Sequence, residues 1–129
     1  MIAQWRRTAG PRSGIRRYNE RWSEADWLAG WSLMARRYAH TSAVVGFGLR
    51  NEPRPAIVGG ALRLPAWGGG SATLDLAAAY ERAGAAVLSA SPTALVFAQG
   101  LLAGRDLRSV ATRPLKLPLP GRLVYEAHE

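Results

Sequence analysis

Val44-Val45-Gly46-Phe47-Gly48-Leu49-Arg50-Asn51-Glu52-Pro53 is the stretch whose reading decides the fold. It opens as an apolar, β-branched run short enough for a buried strand, then stops at an amide, a carboxylate and a proline. Parallel α/β sheets gather their chemistry at the C-terminal ends of their strands. Asn51-Glu52-Pro53 is therefore the candidate chemical centre. Gly46 and Gly48 fall two apart and share one face, where the lack of a side chain lets neighbours approach.

Upstream of this strand, Ser23-Glu24-Ala25-Asp26 reads as a helix start, with Ser23 as cap and two carboxylates at the positive end of the helix dipole. Trp27, Trp31, Met34, Ala35 and Tyr38 then recur at helical spacing on one face, which predicts a helix packed on the sheet. Two tryptophans on a stripe also suit sugar stacking, but at this spacing they belong to a core. His40 follows as a surface residue or a partner of the helix C-terminus.

Downstream, residues 53–72 hold Pro53, Pro55, Gly59, Gly60, Pro65, Gly68, Gly69, Gly70 and Ser71 and read as one long structureless loop, a feature often tied to function. Gly68-Gly69-Gly70 has neither the lysine nor the spacing of a phosphate-binding loop. Trp67 is either a stacking platform for a ligand or a packing residue of the loop. Thr73 to Ala90 predicts a second helix, capped by Thr73, with Leu76, Ala77, Tyr80, Ala83, Gly84, Val87 and Leu88 on its buried face. Ser91-Pro92 ends it. Leu95 to Ala98 predicts another buried strand closing at Gln99-Gly100. Leu102, Leu107 and Val110 face inward from a short helix, and Leu123 to Ala127 forms the last strand, with His128 at its end. The expected class is α/β, three parallel strands alternating with helices.

Composition narrows the function. With 48% hydrophobic and 20% charged residues the chain has material for a core, and no apolar run reaches the roughly 18 residues of a membrane span. Cysteine is absent, which removes disulfides and thiolate metal sites. The net charge of +8 invites a nucleic-acid reading, but Arg6, Arg7, Arg12, Arg16 and Arg17 supply five of those charges with no acidic residue among residues 1–17. Residues 1–19 are accordingly expected to be a basic, irregular extension, either solvated or in nonspecific contact with phosphates. No specific nucleic-acid partner is expected. The N-terminus lacks the apolar core of a secretory signal. An arginine-rich, acid-free tail also fits a transit peptide, although it carries no amphipathic repeat.

The run from Trp22 to Pro53, above all Ala43 to Pro53, resembles the fourth-strand region of glycoside hydrolase family 5, the cellulase-type retaining β-glycosidases. Leu123-Val124-Tyr125-Glu126-Ala127-His128 is similar to that family's sixth strand with its histidine. The resemblance covers roughly residues 20–129, from about the third helix to the sixth strand, and implies a partial (β/α)8 TIM-barrel catalytic domain over that range. It implies retaining hydrolysis of O-glycosyl bonds in β-glycosides or β-glucans, with a carbohydrate as partner and no metal or organic cofactor. Family members are often secreted.

Carried over residue by residue, the resemblance makes Glu52 the acid/base, Asn51 the contact to the sugar 2-hydroxyl and His128 a lining residue of the pocket. A retaining pair needs two carboxyl groups about 5–5.5 Å apart. The acid of the pair needs a raised pKa, from burial or a neighbouring carboxylate. The family's nucleophilic glutamate ends the seventh strand, and neither Glu126 nor Glu129 holds that position. The family tyrosine two residues after the histidine and the arginine of the early strands also lack counterparts. A barrel of this type typically has about 250 residues, so the expectation is a partial barrel, marginally stable and weak or inactive as this chain alone. The alternatives are a noncatalytic module that binds carbohydrate or a partner chain and, with less support, a basic nucleic-acid-binding protein.

Overall fold

A computed structural model describes residues 1–4, 23–58 and 60–129. In chain order it has β1 (Ile2–Gln4), α1 (Glu24–Tyr38), β2 (Gly46–Gly48), β3 (Ala56–Val58), β4 (Ala61–Arg63), α2 (Leu76–Ala90), β5 (Leu95–Gln99), a 3₁₀ turn (Leu102–Gly104), α3 (Arg108–Thr112) and β6 (Leu123–Glu126). Four strands pair in the order β1-β2-β5-β6, every pair parallel. Among the described residues no helix is long and apolar enough to cross a membrane.

The first helix forms as its sequence predicts. Ser23 accepts the Asp26 N–H at 3.1 Å while the Asp26 carboxylate accepts the Ser23 N–H at 2.8 Å, so two amides left open at the helix start satisfy each other's neighbours. Trp27, Trp31 and Ala35 are buried, with Met34 and Tyr38 packed at the margin. Trp31 meets Phe47 edge to face, ring centres 6.1 Å apart, which docks α1 on β2. The buried face of α2 contains every residue expected there and Ala79 as well. An Arg82–Glu24 ion pair at 2.6 Å links α2 to the start of α1.

Alternation along the strands separates two faces. Phe47, Leu49, Val96 and Ala98 are buried in the core cluster shared with the helices. Gly46 and Gly48 occupy the other face of β2. A Cβ at Gly46 would strike the Leu95 carbonyl and approach the Phe97 ring to 2.8 Å, so the glycine accommodates close packing between β2 and β5.

Several expectations need correction. Residues 2–4 of the supposed irregular extension form β1, held where the Met1 carbonyl accepts the Val45 N–H at 3.1 Å; three residues are too few to show a period, and residues 5–22 lie outside the description. The sheet therefore has four strands among the described residues, where three were expected. The loop 53–72 is not structureless, since β3 and β4 pair as an antiparallel hairpin with Gly60 in the left-handed region at φ 77°. Leu102 is 61% exposed, because φ values of 51° and 62° at Leu102 and Ala103 interrupt any inward-facing helical stripe.

The cap of α2 also differs. Asp75 caps it, its carboxylate accepting Ala78 N–H at 3.1 Å and Gly68 N–H at 3.0 Å, whereas Thr73 is engaged with the Ser71 hydroxyl at 3.0 Å. Trp67, the ambiguous loop aromatic, is only 8% exposed. It donates its indole N–H to the Arg113 carbonyl at 2.8 Å and packs against Tyr80 and Tyr125. A ring so enclosed packs the loop and leaves no face for a sugar.

The reassigned cap gives a direct test. Asp75→Ala should cost about 1 kcal/mol or more in urea unfolding, and Thr73→Ala less than about 0.5 kcal/mol. A larger loss from the threonine would contradict the assignment.

Candidate active site

Parallel pairing brings the C-terminal ends of β2, β5 and β6 together, and the polar residues of the site lie at those ends. The ladder continues past β2, with Leu49 N–H donating to the Phe97 carbonyl at 3.1 Å, and the chain then bends through Arg50, Asn51 and Glu52. Glu52 adopts φ 46°. For a residue with a side chain this left-handed backbone costs about 1–2 kcal/mol, so neighbouring groups must hold it.

Two bonds do so. The Glu52 N–H donates to Gln99 Oε1 at 2.6 Å, and the Pro53 carbonyl accepts the Ala103 N–H at 3.0 Å. Gln99 is 1% exposed at the end of β5. Since its oxygen serves Glu52, its NH2 group faces His128, with Gln99 Nε2 and His128 Nε2 2.9 Å apart.

His128 is fixed from three sides. Its backbone N–H donates to the Gly104 carbonyl at 3.1 Å. Its Nδ1 lies 3.4 Å from Glu52 Oε1, and its Nε2 lies 3.0 Å from Glu126 Oε1. Glu126 and His128 are two apart, so the β period puts them on one face, and register sets Glu126 beside Gln99. Gly104 has φ 89°, and a Cβ there would lie 3.2 Å from Gln99 Oε1 and 3.4 Å from His128. Glycine lets the turn close over both side chains.

The electrostatics run against the sequence expectation for Glu52. Arg54, on the same loop, pairs with Glu52 Oε2. Its hydrogen bond, and after it that of His128, holds the Glu52 carboxyl below its usual value, outweighing burial. The Glu52 pKa is therefore not raised. The Arg54 side chain is 62% exposed and that of Glu52 35%, so this pair contributes little to stability. His128 is pushed above its usual value chiefly by Glu126, then by Glu52, against the opposing effect of burial.

The structure thus brings Glu52 and His128 into contact. Asn51 sits on the same bend, half-buried, but among the described residues no bond joins its amide to Glu52, Gln99, Glu126 or His128. Sequence reasoning passed over Gln99 and weighed Glu126 only as a nucleophile. A polar residue closing an apolar strand at its C-terminal end was the available signal for Gln99. Among the described residues, no group of three or more His, Cys, Asp or Glu side chains is arranged to hold a metal ion.

Comparison with known proteins follows the same lines. The family model for cellulase (glycosyl hydrolase family 5) matches residues 5–129. An endoglucanase of Paenibacillus polymyxa is 33% identical over 123 residues, which covers 87% of this chain and 29% of that protein. The major extracellular endoglucanase of Xanthomonas campestris pv. campestris is 32% identical over 123 residues, covering 86% of this chain and 24% of that protein. The solved catalytic domain of the Xanthomonas enzyme superposes with a TM-score of 0.77 at 32% identity, over 94% of this chain and 35% of that one. A hyperthermophilic endocellulase from the archaeon Pyrococcus horikoshii gives 0.77 at 29% identity, over 89% and 36%. The chain spans less than a third of the length of the two curated relatives. Its parallel strands and covering helices are part of a (β/α)8 barrel.

Protonation of the site should register in stability. His128, raised in the folded state, stabilises fully below its usual 6.5, and this contribution is lost as pH rises through its folded value. Glu52, lowered, stabilises above its usual 4.5, and that contribution is lost as pH falls through its folded value. Urea midpoints should therefore show the difference between wild type and His128→Ala shrinking from pH 6 toward alkaline pH. A difference that grows with pH would contradict the charged pairing.

Proposed function

The chain belongs to glycosyl hydrolase family 5, and on that premise we propose that it carries the acid/base half of a retaining β-glycosidase site acting on β-linked glucans. The observation that carries the reading is the contact between Glu52 and His128 at 3.4 Å across the ends of β2 and β6, two segments far apart in sequence. Two of the relatives are endoglucanases, and the Pyrococcus endocellulase has been solved in complex with cellotetraose. In this proposal Glu52 protonates the leaving glycosidic oxygen and then takes a proton from water, Asn51 bonds the sugar 2-hydroxyl, and His128 lines the pocket. Glu126 serves the histidine and is not assigned as nucleophile.

Turnover also requires Glu52 to hold a proton at the moment of bond cleavage. Substrate must then displace Arg54, and a second carboxylate nearby must raise the Glu52 pKa. In the arrangement described, the carboxylate is kept ionised. That favours one second reading, a carbohydrate-binding module in which Glu52 accepts hydrogen bonds from sugar hydroxyls.

Cellotetraose titration followed by NMR, with a β-glucan hydrolysis assay, tests both. Binding should shift the amides of Asn51, Glu52 and His128. Any hydrolysis should fall about 10²–10⁴-fold in Glu52→Gln, while Arg54→Ala, by removing the main cause that lowers the Glu52 pKa, should move the alkaline limb of the pH profile upward. Full turnover in Glu52→Gln would overturn the acid/base assignment, and binding with no turnover would favour the module.

A further inference from the structure

His128 Nε2 faces two groups with opposite demands. The Gln99 NH2 group, 2.9 Å away, is a donor that needs a bare ring nitrogen. The Glu126 carboxylate, 3.0 Å away, is an acceptor that needs a protonated one. One nitrogen cannot satisfy both at once. Gln99 cannot turn its amide over to resolve the conflict, because its oxygen already accepts the Glu52 N–H at 2.6 Å.

Magnitude decides the competition. A hydrogen bond to an ionised carboxylate is roughly twice as strong as one between neutral groups, so Glu126 wins Nε2 and the proton stays there. The other ring nitrogen, Nδ1, faces Glu52 Oε1. We propose that Glu126 is a positioning residue that anchors a proton on His128 Nε2 and so leaves the Nδ1 proton as the one exchanged with Glu52.

The step balances simply. Imidazolium and Glu52 carboxylate become neutral imidazole, retaining Nε2–H on Glu126, and protonated Glu52; the reverse transfer restores the ion pair. Glu126 therefore sets the proton supply of Glu52 without touching substrate. This consequence for catalysis rests on the acid/base reading of Glu52, whereas the proton position on the ring does not.

The groups that face His128 among the described residues are Glu126 from β6, Glu52 with Arg54 behind it from the loop after β2, the Gln99 amide from β5, and the Gly104 carbonyl from the 3₁₀ turn. Of the charged ones, only Glu126 bonds Nε2. The upward displacement of the His128 pKa, with Glu126 as its largest cause, agrees with this geometry.

Ring ¹⁵N spectra across pH test the proposal, with exposed His40 as the in-sample reference. In wild type the neutral ring of His128 should carry its proton on Nε2. In Glu126→Gln the titration midpoint should fall by about one pH unit, and in Glu52→Gln by less. A neutral ring protonated on Nδ1 in wild type, or an unmoved midpoint in Glu126→Gln, would overturn the proposal. Should Glu126→Gln fail to fold, the wild-type tautomer decides alone. No sugar enters these measurements, so failure of cellotetraose to bind the same samples would sink the glycosidase reading while leaving the ring spectra to decide on Glu126.

Discussion

Parallel pairing of β2 with β5 is the constraint on which the site depends. The pairing aligns Gly48 with Phe97, and the bond from Leu49 N–H to the Phe97 carbonyl carries the ladder one step further. Gln99, two residues beyond Phe97, is then placed to reach the Glu52 amide. An antiparallel arrangement would send one of these strand ends to the opposite side of the sheet. The helices make the pairing durable: Trp31 seats on Phe47, and Gly84, with no side chain of its own, lets Leu117 and Val96 close over α2. Apolar burial on one face thus fixes the polar geometry at the strand ends.

Much of this was legible in the sequence because it rests on local periodicity. The stripes of α1 and α2 are written at 3.6-residue spacing, and the apolar runs of β2 and β5 end where polar residues begin. Glu52 and His128 were legible as well, one through the residues that close its strand and both through likeness to a family. Elements with weak local signals were not. β1 has three residues and is defined by its partner, and the β3–β4 hairpin lies within a stretch whose prolines and glycines read as loop. The Asp75 cap depended on which nearby oxygen was free, which spacing alone does not reveal.

The electrostatics of the site were the least legible part. Sequence reasoning required a raised pKa for Glu52, but Arg54 lies two residues away and reaches back to it. Whether a neighbouring arginine pairs with a glutamate or points to solvent depends on side-chain rotamers, which leave no periodic trace. Gln99 is hidden for a related reason: its importance lies in joining two segments, Glu52 and His128, that are separated in sequence by 76 positions.

The turn Leu102–Gly104 holds two strand ends at once, through Ala103 N–H to the Pro53 carbonyl and through the Gly104 carbonyl to His128 N–H. Neither bond belongs to a helix or to the sheet ladder, and Leu102 stands in solvent. The turn therefore couples the two strand ends through bonds that an opening of this segment alone would break, without disturbing the sheet ladder. Such an opening would break at once the bond to the Pro53 carbonyl beside Glu52 and the backbone bond of His128. Amide exchange at Ala103 and His128 would then be correlated, because one motion of the turn frees both amides.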